Sequence, residues 1–178
     1  MLQLEIGALD LFEEETSTFY VLDPTTIQME HSLLSISRWE AEWKKPFFAR
    51  EAHTEEQWIS YFKYMTITRN VDPLVYTYLS EENRKAITDY ISDPMTATTV
   101  NNRTSSSNSI VTSEVIYGWL VSLRIPFEVE KWHINRLTML VQVVNASMSK
   151  GKKLPMSEVY SQQREINAMR RAAHNSKG

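Results

Sequence analysis

The chain has 178 residues, 42% of them hydrophobic and 23% charged, with a net charge of −3 and no cysteine. A chain of this size can bury roughly two-thirds of its unfolded surface, so it needs no metal or disulfide to fold. Without thiols, disulfides, thiolate metal sites and cysteine nucleophiles are excluded together. The charge is unevenly spread: residues 1–93 hold 17 acidic and 8 basic side chains, a net of −9, and the rest hold 5 and 11, a net of +6. This reads as an acidic body with a basic tail, suited to nucleic acid, to an acidic protein surface or to the acidic half of a second copy. The bland alternative is a solvated helix face. The N-terminus lacks a basic, apolar leader, and no uncharged apolar run reaches about 18 residues, so neither a signal peptide nor a membrane span is expected.

Residues 2–6 (LQLEI) alternate apolar and polar, and 18–22 (TFYVL) are β-branched and aromatic. The two are expected to pair as a hairpin across the acidic turn at Glu13–Glu15, with Asp23-Pro24 ending the run. A first helix is predicted from Ser32, with Leu33, Ile36, Trp39 and Trp43 on one stripe and Pro46 closing it. Thr54 and Gln57 form a capping box for a second helix, whose buried stripe is Trp58, Tyr61, Phe62 and Met65. Asp72-Pro73 starts a short helix, and Ser80 caps another that turns Ile87, Tyr90 and Ile91 inward. Met95–Val100 reads as a short strand and 101–109 as an exposed Ser/Thr/Asn loop.

Residues 111–145 are densely apolar and read as two packed helices. Thr112 or Ser113 caps the first, with Val115, Ile116, Trp119, Leu120 and Leu123 on one side. Pro126 kinks the path or opens the second, which runs to about Asn145 with Val129, Trp132, Arg136, Leu137, Leu140, Val141 and Val144 on its stripe. A basic linker over Met148–Pro155 leads to a polar helix, Met156–Ala173, whose apolar stripe is too thin to stand without a partner.

The fold expected is mainly α: a compact helical domain with a small N-terminal β element and a C-terminal basic helix. Residues 1–30 form the β-rich segment, 31–147 the helical core, and 148–178 the basic linker and helix. The expected core holds Trp58, Phe62, Ile87, Ile116, Trp119, Leu120, Trp132, Leu137, Leu140 and Val141.

Chemistry is hard to find. His31, His53, His133 and His174 do not have metal-ligand spacing, and no GxSxG, Walker A or GxGxxG motif occurs. His133, inside a core segment, reads as a hydrogen-bonded structural histidine. Glu40 with Glu42, and Glu128 with Glu130, stand two apart and point to different sides of a helix, which argues against joint acid–base work. No cofactor is expected. The five tryptophans read first as core. An exposed pair, Trp39 and Trp43, would instead anchor a partner, because large rigid aromatics dominate binding hot spots. Lys150, Lys152, Lys153, Arg164, Arg170 and Arg171 complete the candidate partner-binding set.

The segments HSLLSISRWEAEWKKPFF (31–48), YMTITRNVDPLVYTYLS (64–80), DYISDPMTATT (89–99), EVIYGWLVSLRIPFEVEKWHINRLTMLVQVVN (114–145) and QQREINAMRR (162–171) resemble a group of small tailed-bacteriophage proteins, the tail assembly chaperones and related tail-module proteins. The resemblance spans roughly residues 31–178. It implies a mostly helical protein that binds the long tape-measure protein, or other tail proteins, in the host cytoplasm during tail assembly and is absent from the finished virion. A structural virion component of the tail or head–tail region is the second reading. A nucleic-acid-binding regulator using Lys150–Lys177 is the third, and the pI near 5.8 counts against it. An enzyme comes last.

Overall fold

In a computed structural model, the described residues are 1–13, 18–98, 110–149 and, alone beyond them, 164. About half of these are helical, in six α-helices, joined by two small antiparallel sheets and a 3-10 turn. The chain divides into two compact units, Met1–Val143 and Val144–Gly178. The expected loop at 101–109 lies outside the described residues, and so does the expected C-terminal helix, apart from residue 164.

The N-terminal element is an interrupted β-ribbon. β1 (Leu2–Ile6) pairs with β4 (Thr25–Met29), and β2 (Leu9–Glu13) with β3 (Thr18–Leu22). One register runs through both pairs: Leu4 stands opposite Ile27, and Asp10 opposite Val21. The ladder breaks where Gly7 and Ala8 face Asp23 and Pro24, because proline has no N–H to contribute. The expected pairing of 2–6 with 18–22 therefore does not form. Alternation marks which residues suit a strand but leaves the partner open. β1 and β4 bury Leu4, Ile6, Ile27 and Met29 on one face and expose Gln3, Glu5, Thr26 and Gln28 on the other. The segment after the second helix closes the outer edge of β4, with Glu30 N–H donating to Met65 O at 2.9 Å and Ile67 N–H to Gln28 O at 2.8 Å.

α1 (Leu33–Trp43) is the hub, packed on α2 (Glu55–Met65), on α5 (Ser113–Ser122) and on the 3-10 turn Phe127–Lys131. Ser32 caps α1 by accepting from Ser35 N–H, and Lys44 ends it in the left-handed region at φ 53°. The Thr54–Gln57 capping box of α2 forms as its sequence requires. Asp72 accepts from Leu74 N–H at the start of the one-turn α3 (Leu74–Thr77). Ser80 caps α4 (Glu81–Ser92), and Thr112 caps α5. These polar caps are local, so they are readable wherever a hydroxyl or carboxylate precedes an apolar stripe.

Further expectations fail. Met95–Thr98 is not a strand: Asp93 accepts from Met95 N–H at 2.7 Å, and Met95 sits at φ 52°, turning the chain. The last described helix, α6, spans Ile134–Ser149. Val129 belongs instead to the 3-10 turn, and Trp132 leaves it in extended conformation at φ −75° and ψ 158°. That changes which side chains are buried. Trp119 and Trp132, expected in the core, are each 38% exposed, and Trp132 carries the Arg136 guanidinium 4.5 Å above its ring. Trp58 and Leu140 are half-buried, whereas Phe62, Ile87, Ile116, Leu120, Leu137 and Val141 are buried as expected. No helix among the described residues is long and apolar enough to cross a membrane.

Candidate functional site

Among the described residues, polar chemistry and open space gather in separate places. The first is internal. His31, at the end of β4, lies with its Nδ1 2.5 Å from the Tyr61 hydroxyl of α2. Its ring meets His133 edge-on at a centroid distance of 5.1 Å. Backbone bonding fixes the geometry, since Ile134 N–H donates to His31 O at 2.7 Å. His133 accepts from Asn135 N–H at Nδ1 (3.2 Å), so in its neutral form Nε2 carries the proton and donates to Tyr90 O at 3.0 Å. Asn135 donates to Ile91 O and Asp93 O. The start of α6 thus satisfies the last carbonyls of α4, which is why a histidine and an asparagine stand in that apolar stretch.

Burial, reinforced by the neighbouring His133, pushes the His31 pKa down to about 3. Burial likewise raises the Tyr61 hydroxyl far above its usual value. Tyr90 moves the same way through burial and then through its bond to Glu30, 2.6 Å away. These groups stay neutral and hold one another in place. Their arrangement braces the junction of β4, α1, α2 and α6.

Glu40 is the second internal feature. It is buried in α1, with Oε1 accepting from Phe47 N–H at 2.7 Å. Oε2 accepts from Ser113 N–H at 2.8 Å and from the Ser113 hydroxyl at 2.5 Å. The carboxylate therefore sits at the N-terminus of α5, where the helix dipole favours an anion. Glu42 points outward and takes a hydrogen bond from the Ser60 hydroxyl. The two carboxylates part, as their spacing of two residues requires. Among the described residues no group of three or more His, Cys, Asp or Glu could hold a metal ion.

The expected anchor pair does not present itself on the surface. Trp39 is wholly buried; its Nε1 donates to Gln57 O at 2.9 Å, and its ring packs on Phe47 and His53. Trp43 is half-buried, with its Nε1 given to Ser60. Its position one turn on from Trp39 places it at the rim of the same packing. Arg164 is helical and exposed; Lys150, Lys152, Lys153, Arg170 and Arg171 lie outside the described residues.

An open groove of about 400 Å³ lies elsewhere, lined by Glu55, Trp58 and Phe62 of α2 and Arg84, Thr88 and Ile91 of α4. Trp58, Phe62 and Ile91 give it apolar walls. At its rim Arg84 pairs with Glu55 at 3.3 Å while also donating to Thr77 O and Leu79 O. The arginine is held by the loop before α4 as well as by the glutamate. Sequence patterning assigns Trp58 and Ile91 to helix stripes facing inward; it cannot show that α2 and α4 stand apart and leave those residues half-covered. No protein-family model, curated protein or solved structure matches this chain.

Proposed function

We propose that this protein is a binding protein that shelters an amphipathic helix of a partner and performs no chemistry of its own. Its role would be that of a tail assembly chaperone acting on the tape-measure protein, as the sequence resemblance implies. The observation that carries the reading is the groove between α2 and α4. It has apolar walls, is open to solvent, and is framed by a fixed ion pair, so it suits a large apolar side chain projecting from a helix laid along its rim. The acidic excess of residues 1–93 favours a partner helix carrying basic residues.

Co-expression of the full chain with the tape-measure protein of the same phage tests this. The expected result is a soluble complex that co-purifies, and its loss when Thr88→Trp fills the groove. Thr88 is exposed, so the substitution leaves the core untouched. A tape-measure protein equally soluble and uncaptured with and without this chain would refute the reading. Retention of the chain in purified virions would favour a structural tail component instead.

A further inference from the structure

α2 and α4 run in the same direction on either side of the groove. Arg84 meets Glu55 at 3.3 Å near the start of both helices. Near their ends Tyr90 donates to the Glu30 carboxylate at 2.6 Å, and Glu30 N–H donates to Met65 O at 2.9 Å. The walls are therefore layered. Glu55, Trp58 and Phe62 line one side and Arg84, Thr88 and Ile91 the other, at the three- and four-residue steps by which one helix seats another. Trp58 and Phe62 stack with their rings 5.9 Å apart. The layer of Phe62 and Ile91 is wholly apolar.

The other end is charged. Glu81 lies one turn before Arg84 and within about 20° of Thr88 around the α4 axis. It is exposed, as Glu55 is, and it belongs to no ion pair among the described residues. Arg84 is the less accessible member of its own pair, its side chain 27% exposed against 72% for Glu55. Its guanidinium is further engaged by Thr77 O and Leu79 O, each at 3.3 Å. Lys85, the other cation of α4, is paired with Asp89 at 2.5 Å. A cation arriving at this end finds two accessible carboxylates, whereas an anion finds an arginine already shared among three acceptors. Charge complementarity thus selects a basic side chain for this end and an apolar one for the far end.

We propose that the groove fixes the register of the helix it holds. A lysine or arginine lies against Glu55 and Glu81, and a large apolar side chain seven residues from it fills the end walled by Phe62 and Ile91. Seven residues rise about 10.5 Å on a helix, the same step that separates Glu55 from Phe62 and Arg84 from Ile91. The inference rests on the reading of this groove as a helix site and adds the spacing it selects.

Fluorescence anisotropy of labelled synthetic amphipathic helices, titrated with the full chain, tests it. A peptide with one lysine seven residues from a phenylalanine anchor is expected to bind about fivefold more tightly than the same peptide with glutamate in place of that lysine. Moving the lysine to five residues from the anchor turns it off the groove face and should lose the same advantage. In a Glu81→Lys chain, changed at an exposed position that leaves the Arg84–Glu55 pair intact, the preference for lysine is expected to disappear. Lysine and glutamate peptides bound equally by the wild type, or a preference unchanged in Glu81→Lys, would overturn the proposal. If those equal affinities still fall with Thr88→Trp, the groove holds a helix without selecting its register; if no peptide binds, the groove reading falls with it.

Discussion

Glu40 is the residue on which most of the local order converges. One carboxylate satisfies the Phe47 N–H after α1 and both donors of Ser113 at the start of α5. Replacing it with leucine leaves buried donors without acceptors, so Glu40→Leu is expected to cost about 3 kcal/mol, read from the urea midpoint. Glu42→Leu, on the exposed side of the same helix, should cost well under half as much. His31 sets a pH dependence. Its pKa falls from 6.5 in the unfolded chain to about 3 in the folded one, so the unfolded state binds the proton first as pH drops. Stability is then fully present above about pH 6.5 and is lost progressively toward pH 3, by a few kcal/mol in all. Tyr61, Tyr90 and Tyr117, whose pKa values folding raises, act in the opposite sense: their contribution is present below pH 10 and fades at higher pH. Thermal melts across this range should show a plateau between about pH 6.5 and 10, and His31→Gln should flatten its acid limb. His133 was legible in the sequence as a hydrogen-bonded structural histidine; the partners were not. A glutamate on a helix looks the same whether it faces water or a partner 73 residues away, as Glu40 and Ser113 do.

At the scale of elements, the helix starts were the most legible feature. Ser32, Thr54, Ser80 and Thr112 each accept from an N–H three residues on. Capping is decided within one turn of chain, so the residues that do it are adjacent in sequence. Thr54→Ala is expected to lower stability by about 1 kcal/mol, measured by denaturant titration, since it removes one half of a reciprocal box. The ribbon was less legible. TFYVL and LQLEI are both strands, but register depends on the break at Gly7 and Pro24 and on a second strand pair between them. The segment after Pro126 misled for a related reason. A helical stripe could be drawn through Val129 and Trp132, yet the chain takes a 3-10 turn and then an extended step before α6 begins. That short detour turns Trp132 outward.

For the molecule as a whole, the sequence indicated a mainly helical body with an N-terminal β element, and among the described residues six α-helices and a ribbon form. Where the helices leave gaps was not accessible, because a gap depends on the packing of elements far apart in the chain. Trp58 and Ile91 belong to helices separated by a turn, a loop and α3, and the groove between them arises from that separation. The proposed partner helix is held in this groove. Isothermal titration of the full chain with a basic amphipathic helical peptide from the tape-measure protein measures that directly. Saturable binding by the wild type, weakened at least about tenfold by Thr88→Trp, is the predicted result; equal heats for the two proteins, or none for either, would contradict it.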